Sequence, residues 1–217
     1  MSAKLVFDLG GVAIAWTPKD FIVDLCPSET ASLHTESLRD AVLHAVFQHF
    51  EPDSDWAAFD CDKISSEQLA INIAMRIRSM FMEWPGSSLT VLKWIESLPD
   101  RLEPIEATLI WLKELRAAKI PLYFLSNMPK PFLKTLISHQ QLFENFDDGI
   151  FSCDPGIAKP QAEIFRLASK QFSLNVSDKV IFIDDNVTNV EAARKFGWHA
   201  IHHLSVQQSR QALRQFI

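Results

Sequence analysis

The first dozen residues place one carboxylate, Asp8, between an apolar run and a pair of glycines. The run at residues 5–7 contains β-branched and aromatic side chains, which is typical of a strand buried on both faces. Gly10 and Gly11 end that strand and leave bare backbone beside the carboxylate. Taken alone, the pattern fits either a strand that ends in a turn, with Asp8 as a local cap, or a strand that presents a reactive acid.

Three further polar groups occur at predicted ends of strands or starts of helices. They are Ser126-Asn127, Lys159 and the pair Asp184-Asp185. Each has an ordinary structural role open to it, as a helix cap or as a solvated lysine before a proline. In an open parallel sheet, however, ligands bind where the carboxyl ends of the strands meet. Carboxylates gathered there need a cation, and oxygen-only ligands favour magnesium, so the set predicts a phosphoryl-transfer site.

The second half of the chain contains the elements that must bring these groups together. Beyond residue 104, apolar runs with strand character alternate with amphipathic segments. This alternation predicts an α/β fold with a doubly wound parallel sheet and a Rossmann-like core. Strands are predicted at residues 120–125, 149–152, 180–183 and 199–202, and helices at residues 104–118 and 134–141, from residue 160, and at residues 189–196 and 206–216.

Residues 17–100 have a different pattern, with helical periodicity and no clear strand. Helices are predicted at residues 29–50, 65–81 and 88–97. Because this segment lies between the first strand and the next, we expect a small helical cap inserted after the first strand. The expected division is a catalytic core of residues 1–16 and 101–217, and a cap of residues 17–100.

The order of the polar motifs resembles the haloacid dehalogenase superfamily of hydrolases. Four segments carry the likeness: FDLGGV at residues 7–12, LSN at 125–127, KP at 159–160 and FIDDN at 182–186. The nearest branch is that of the bacterial sugar-phosphate phosphatases, which act on substrates such as α-D-glucose 1-phosphate. Residues 59–65, FDCDKIS, also resemble a cap segment of that branch, usually FERGEIS. The resemblance implies a magnesium-dependent phosphatase whose partner is a small phosphorylated metabolite, with a sugar phosphate as the expected substrate.

The resemblance also implies a role for each motif residue. Asp8 would attack phosphorus and become an aspartyl phosphate. Ser126 and Lys159 would hold the phosphoryl oxygens, and backbone amides near Asn127 would complete the cradle. The implied oxygen donors to Mg²⁺ are Asp8, the carbonyl of Gly10, Asp185 and, directly or through water, Asp184.

One position departs from the pattern common in this superfamily. Most of its phosphatases read Asp-x-Asp-Gly, and the second Asp protonates the leaving oxygen and later deprotonates water; here that position is Gly10, as in the resembling branch. General acid–base catalysis contributes roughly a hundred- to ten-thousandfold, so we expect an activated substrate such as an anomeric phosphate. Asp20, Asp60 and Asp62 are candidates for a surrogate acid, but they are interpreted as solvated surface residues.

Two other functions stay open on the sequence alone. The 2-haloacid dehalogenases also lack the second Asp, but they have an aromatic residue where Gly10 stands and no adjacent acidic pair, so a phosphatase is favoured. A low-activity phosphometabolite-binding or regulatory protein is the third hypothesis, because residues 60–63 differ from the related cap segment.

Composition excludes several other classes. The net charge is −6 and no basic run occurs, so nucleic acid is not an expected partner. Cys26, Cys61 and Cys153 are widely spaced without a Cys-x-x-Cys motif, so we expect reduced thiols in a cytoplasmic protein. Neither a signal peptide nor an apolar stretch of transmembrane length is recognised, so no membrane association is expected.

Overall fold

The computed structural model describes residues 3–26 and 35–217, and its centre is a parallel sheet. In chain order the strands are β1 (Ala3–Phe7), β2 (Leu122–Ser126), β3 (Asp148–Phe151), β4 (Lys179–Asp184) and β5 (His199–His202). Their spatial order is β3-β2-β1-β4-β5, and each neighbouring pair is parallel. The chain therefore builds outward from β1 in one direction and then in the other, which confirms the predicted doubly wound α/β sheet.

Helices make up the regular structure between and after these strands. Those between β1 and β2 are α1 (Pro18–Phe21), α2 (Thr35–Phe47), α3 (Asp55–Asp60), α4 (Ser66–Met80), α5 (Ser88–Ser97) and α6 (Glu106–Ala117). Those that follow β2 are α7 (Leu133–Ile137), α8 (Gln140–Phe143), α9 (Ala162–Gln171), α10 (Val187–Phe196) and α11 (Val206–Leu213). The described part of residues 17–100 contains helices and no strand, and the division into core and cap stays a prediction. Within the described residues, no helix is long and apolar enough to span a bilayer.

Several predicted boundaries need correction. The single helix predicted at residues 134–141 is wrong: α7 ends at Ile137 and α8 begins at Gln140, because His139 between them has a non-helical backbone, with φ −74° and ψ +64°. The helix predicted at residues 29–50 corresponds to α2 and a 3₁₀ turn, Gln48–Phe50, while residues 29–34 lie outside the described part of the chain. The helix predicted from residue 160 begins at Ala162.

Strand β1 is buried on both faces, as its apolar run predicts. Leu5 and Phe7 belong to one apolar cluster and Val6 to the other, and none of the three is exposed to solvent. The first cluster continues into the helices between β1 and β2, and the second lies beneath α9 and α10. Packing on both sides fixes the strand that carries Asp8.

Two buried indoles tie the helical insertion together. The Trp84 indole N–H donates to the Leu25 carbonyl at 2.9 Å, and the Trp94 indole N–H donates to the Phe21 carbonyl at 2.7 Å. Buried indole N–H groups need such partners, and these two join α5 and its preceding turn to the segment that follows β1. These bonds therefore hold the later helices of the insertion against its first turns, which follow β1.

Candidate active site

Three central strands end side by side at one edge of the sheet. Asp8 directly follows β1, Ser126 is the last residue of β2 and Asp184 is the last residue of β4. The backbone N–H of Asp8 donates to the Ile183 carbonyl at 2.8 Å, which extends the pairing of β1 with β4 to the aspartate itself. The order β2-β1-β4 therefore places these residues at adjacent strand ends.

The ammonium group of Lys159 joins two buried carboxylates. Its Nζ atom lies 2.8 Å from Oδ1 of Asp8 and 2.7 Å from Oδ2 of Asp184, and its side chain is 1% exposed. Burial lowers the pKa of Lys159, but the negative charges of Asp184 and Asp8 outweigh burial and hold that pKa above its usual value. Lys159 is therefore a permanent positive charge beside Asp8.

Asp184 has its acceptor positions occupied by the protein. Its Oδ1 accepts from the backbone N–H of Asn186 at 2.7 Å and from Nδ2 of Asn189 at 3.2 Å. Its Oδ2 accepts from Lys159 at 2.7 Å, and the residue has no solvent exposure. A carboxylate bonded in this way orients Lys159 and the loop that follows β4.

Asp8, Asp184 and Asp185 form a crowded acidic group. One oxygen atom from each lies within 4.8 Å of the other two. Burial holds the pKa of Asp8 well above its usual range, with Lys159 opposing the shift and the charges of the other two aspartates adding to it. Desolvation and the Asp184 charge raise the pKa of Asp185 to about 6. Crowded carboxylates are relieved by a cation, and their hard oxygen donors fit Mg²⁺.

Gly11 makes room for Asp185. Its φ angle is +69°, and a Cβ atom at this position would lie 2.1 Å from Oδ2 of Asp185. We expect Gly11→Ala to displace that carboxylate and to weaken Mg²⁺ binding by roughly ten- to a hundredfold, as measured by calorimetric titration. The control is Gly197→Ala, at φ +107° with nothing within 4 Å of the added Cβ, because it also places an alanine at a positive φ but lacks the contact with Asp185. Equal Mg²⁺ affinity in the two variants would contradict the expectation.

Asn127 holds the loop that carries Lys159. Its Oδ1 accepts from the backbone N–H of Lys159 at 2.9 Å, and its Nδ2 donates to the Lys159 carbonyl at 2.9 Å. Ser126 is only 1% exposed and is not among the residues that line the cavity above the ends of these strands. Its predicted contact with phosphoryl oxygens stays a prediction, whereas the structure gives Asn127 a second role, that of a brace for Lys159.

A cavity of about 280 Å³ opens above these strand ends. Asp8, Gly10, Lys159 and Asp185 contribute to its floor. Apolar side chains form most of the remaining lining: Ile14, Trp16, Pro18, Phe50, Trp56, Ala57, Leu102, Met128, Pro129 and Phe132. The reactive groups therefore face a largely apolar chamber.

The interpretation of Asp60 as a solvated surface residue is wrong. Asp60 is 8% exposed and lines the same cavity as Asp8 and Lys159. It follows Trp56 by one helical turn in α3, so both side chains share the helix face that meets the cavity. Asp20 and Asp62 are exposed, as predicted, and Asp62 forms an ion pair with Lys130 at 3.1 Å.

The chain is similar in sequence and in fold to known hydrolases. The sequence profile of the haloacid dehalogenase-like hydrolases matches residues 6–197. A sesquiterpene phosphatase of Aspergillus oryzae is 26% identical over 98% of this chain and 95% of its own length. An (S)-2-haloacid dehalogenase of Pseudomonas sp. is 30% identical, but over 45% of this chain and 42% of its own length. A HAD-family enzyme of Bacteroides thetaiotaomicron, solved with magnesium and inorganic phosphate, shares the fold with a TM-score of 0.62, at 20% identity over 93% of each chain.

Proposed function

Since the chain belongs to the haloacid dehalogenase-like hydrolases, we propose that it is a magnesium-dependent phosphatase acting through an aspartyl phosphate on Asp8. The observation that carries this proposal is the contact of Asp8 with the buried ammonium of Lys159, at 2.8 Å, in a cavity that both residues line. A carboxylate fixed beside a permanent positive charge suits attack on an anionic phosphate ester.

Each protein group has a distinct part in the proposed reaction. Asp8 attacks phosphorus, and the bond from phosphorus to the leaving oxygen breaks as the aspartyl phosphate forms. Lys159 favours the ionised form of Asp8 and offsets the charge of the phosphoryl oxygens, while Asn127 keeps the loop of Lys159 in place. Ser126 and the backbone amides near Asn127 are the remaining proposed contacts of the phosphoryl group.

The proposed ligands of Mg²⁺ are Asp8, Asp185 and the carbonyl of Gly10, with Asp184 behind them. When bound, Mg²⁺ neutralises negative charge on the phosphoryl oxygens. The oxygen atoms of three carboxylates within 4.8 Å of one another support this choice, as does the magnesium bound to the Bacteroides protein of similar fold. Asp184 is the least available donor, because its acceptors already bind Lys159, Asn186 and Asn189.

The cavity lining favours an apolar leaving group over a sugar. Among the described residues of the helical insertion that line the cavity, Asp60 is the single polar one; its companions are Pro18, Phe50, Trp56 and Ala57. Sugar hydroxyls that enter such a chamber lose hydrogen bonds to water and find few replacements. A phosphate ester of an apolar alcohol avoids this penalty, and the sesquiterpene phosphatase among the relatives is consistent with such a substrate.

A panel of phosphate monoesters separates the two substrate classes. We expect kcat/KM for n-alkyl phosphates, from ethyl to octyl phosphate, to rise by up to about fourfold per methylene until the cavity is filled. Farnesyl phosphate should exceed glucose 1-phosphate and glucose 6-phosphate, and release should require Mg²⁺. The measurement is inorganic phosphate release, with and without Mg²⁺. Highest turnover of glucose 1-phosphate, with no dependence on alkyl length, would restore the sugar-phosphate prediction.

The dehalogenase and binding-protein hypotheses are not favoured. The (S)-2-haloacid dehalogenase matches less than half of this chain, and the crowded carboxylates call for a cation that a halide displacement does not use. Chloride release from 2-chloropropionate without added metal would instead favour the dehalogenase over the phosphatase.

The cytoplasmic location stays a prediction that rests on the cysteine spacing.

A further inference from the structure

Gly10 leaves the proposed phosphatase without an acid at the usual place. A Cβ atom at this position would meet nothing nearer than Trp16, at 3.8 Å, so close packing does not require the glycine. The cavity is nevertheless lined by one more carboxyl group, that of Asp60 at the end of α3. Its position, its contacts and its burial distinguish it from the other aspartates of the insertion.

The backbone of Asp60 is hydrogen-bonded to the loop that follows β3, and through it to the loop that follows β2. The Ser152 hydroxyl donates to the Asp60 carbonyl at 2.5 Å and accepts from the backbone N–H of Met128 at 2.9 Å. The neighbouring Phe59 packs edge-on against Phe132, with ring centroids 5.8 Å apart. Through these contacts α3 packs against the loops that follow β2 and β3, which brings Asp60 to the cavity that Asp8 also lines.

The carboxyl group of Asp60 is in the state that a proton donor needs. It is buried, and within the described residues no hydrogen bond to its side chain occurs. Burial raises the pKa of Asp60 to about 8, although the positive charge of Lys159 lowers it. Lys159 faces it from the loop before α9, and Asp8 and Asp185 line the same cavity from the ends of β1 and β4. At neutral pH, Asp60 therefore holds a proton inside the reaction chamber.

We infer that Asp60 is the proton donor and acceptor of the reaction, replacing the side chain that Gly10 lacks. This inference rests on the proposed phosphatase function. As Asp8 bonds to phosphorus and the bond to the leaving oxygen breaks, Asp60 gives its proton to that oxygen and the alcohol departs. Asp60, now ionised, takes a proton from the water that attacks the aspartyl phosphate. The bond from phosphorus to Asp8 then breaks, inorganic phosphate leaves, and both aspartates return to their initial states.

The test compares two esters that differ in their need for a proton. The octyl alkoxide must be protonated to leave, whereas p-nitrophenolate leaves unprotonated. We expect Asp60→Asn to lower kcat/KM for octyl phosphate by roughly a hundred- to ten-thousandfold, and to change kcat/KM for p-nitrophenyl phosphate much less. With the aryl ester the variant should also show a burst of nitrophenolate followed by slow turnover, because hydrolysis of the aspartyl phosphate needs the base. The ratio of the two kcat/KM values is independent of how much of the variant folds.

Two further variants separate this inference from the proposed function. Asp62→Asn, an exposed acid two residues away, should match the wild type with both esters. Asp8→Asn should give neither burst nor turnover. An unchanged ratio of kcat/KM values in Asp60→Asn, or no burst, would overturn the role of Asp60 while leaving the aspartyl-phosphate mechanism in place. Failure of the wild type to hydrolyse either ester would overturn both.

Discussion

Replacement of Asp8 by Asn should abolish turnover without loss of stability. The amide has no nucleophilic oxygen anion, so we expect phosphate release to fall by about 10⁵-fold, the scale seen when an enzyme loses its nucleophile. The fold should tolerate the change, because the Asn carbonyl oxygen can still accept from the Leu9 N–H and from Lys159, as Oδ1 of Asp8 does. Burial raises the pKa of Asp8 and so disfavours its charge, and Lys159 keeps its ion pair with Asp184 at 2.7 Å when Asp8 is replaced.

The covalent intermediate gives this prediction a second readout. Wild-type protein that is acid-quenched during turnover of p-nitrophenyl phosphate should carry a phosphoryl group on the peptide that contains Asp8, and Asp8→Asn should not. Thermal unfolding should occur at or above the wild-type temperature. The exposed Asp62→Asn variant is the matched control for carboxylate-to-amide exchange, and it should retain both the intermediate and the rate. Phosphate release by Asp8→Asn at a rate near that of the wild type would contradict the assignment of the nucleophile.

Much of this site could be predicted because its residues lie at the ends of apolar strands. Asp8 and Asp184 each follow or end a short apolar run, Lys159 lies in the loop just before a helix, and a parallel sheet brings such points together. The separate roles of Asp184 and Asp185 could not be predicted in the same way. Asp184 accepts hydrogen bonds from Lys159 and from the following loop, whereas Asp185 lines the cavity. This difference depends on the direction of each side chain at a single turn.

The burial of Asp60 and the apolar lining of the cavity could not be predicted from the sequence for a different reason. Burial of Asp60 depends on α3 packing against Ser152, a residue 92 positions away, and its raised pKa follows from that burial. The cavity lining is likewise assembled from distant parts of the chain, from Ile14 to Phe132, so no local pattern reveals that it is apolar. The sugar-phosphate expectation came from the motifs at the strand ends and from the cap segment at residues 59–65, and neither shows which distant side chains line the cavity.

Removal of the Lys159 charge should cost both stability and activity. Lys159→Met keeps most of the side-chain volume but leaves Asp8 and Asp184, at 11% and 0% side-chain exposure, without their shared cation. Loss of one partner from a buried ion pair destabilises by about 3–5 kcal/mol, which corresponds to a fall in unfolding temperature of roughly 10 °C for a chain of this size. Phosphate release should fall by a hundred- to a thousandfold, about the scale expected when a preorganised charge is lost. The control is Lys130→Met, whose lysine is 65% exposed and pairs with Asp62, so its effect should stay within about 0.5 kcal/mol.

The dependence of the stability of Lys159→Met on pH and on Mg²⁺ identifies why this variant is less stable than the wild type. Without Lys159, the folded-state pKa of Asp8 rises further above its unfolded value, so stability is retained at low pH and is lost as the pH rises. The loss of stability relative to the wild type should therefore be larger at pH 8 than at pH 5. Mg²⁺ offers the bare carboxylates a replacement cation, and binding to the folded state alone raises the unfolding temperature, so added Mg²⁺ should stabilise Lys159→Met more than the wild type. A deficit that changes with neither pH nor Mg²⁺ would mean that Lys159 contributes packing rather than charge, and would remove the electrostatic basis for a nucleophilic Asp8.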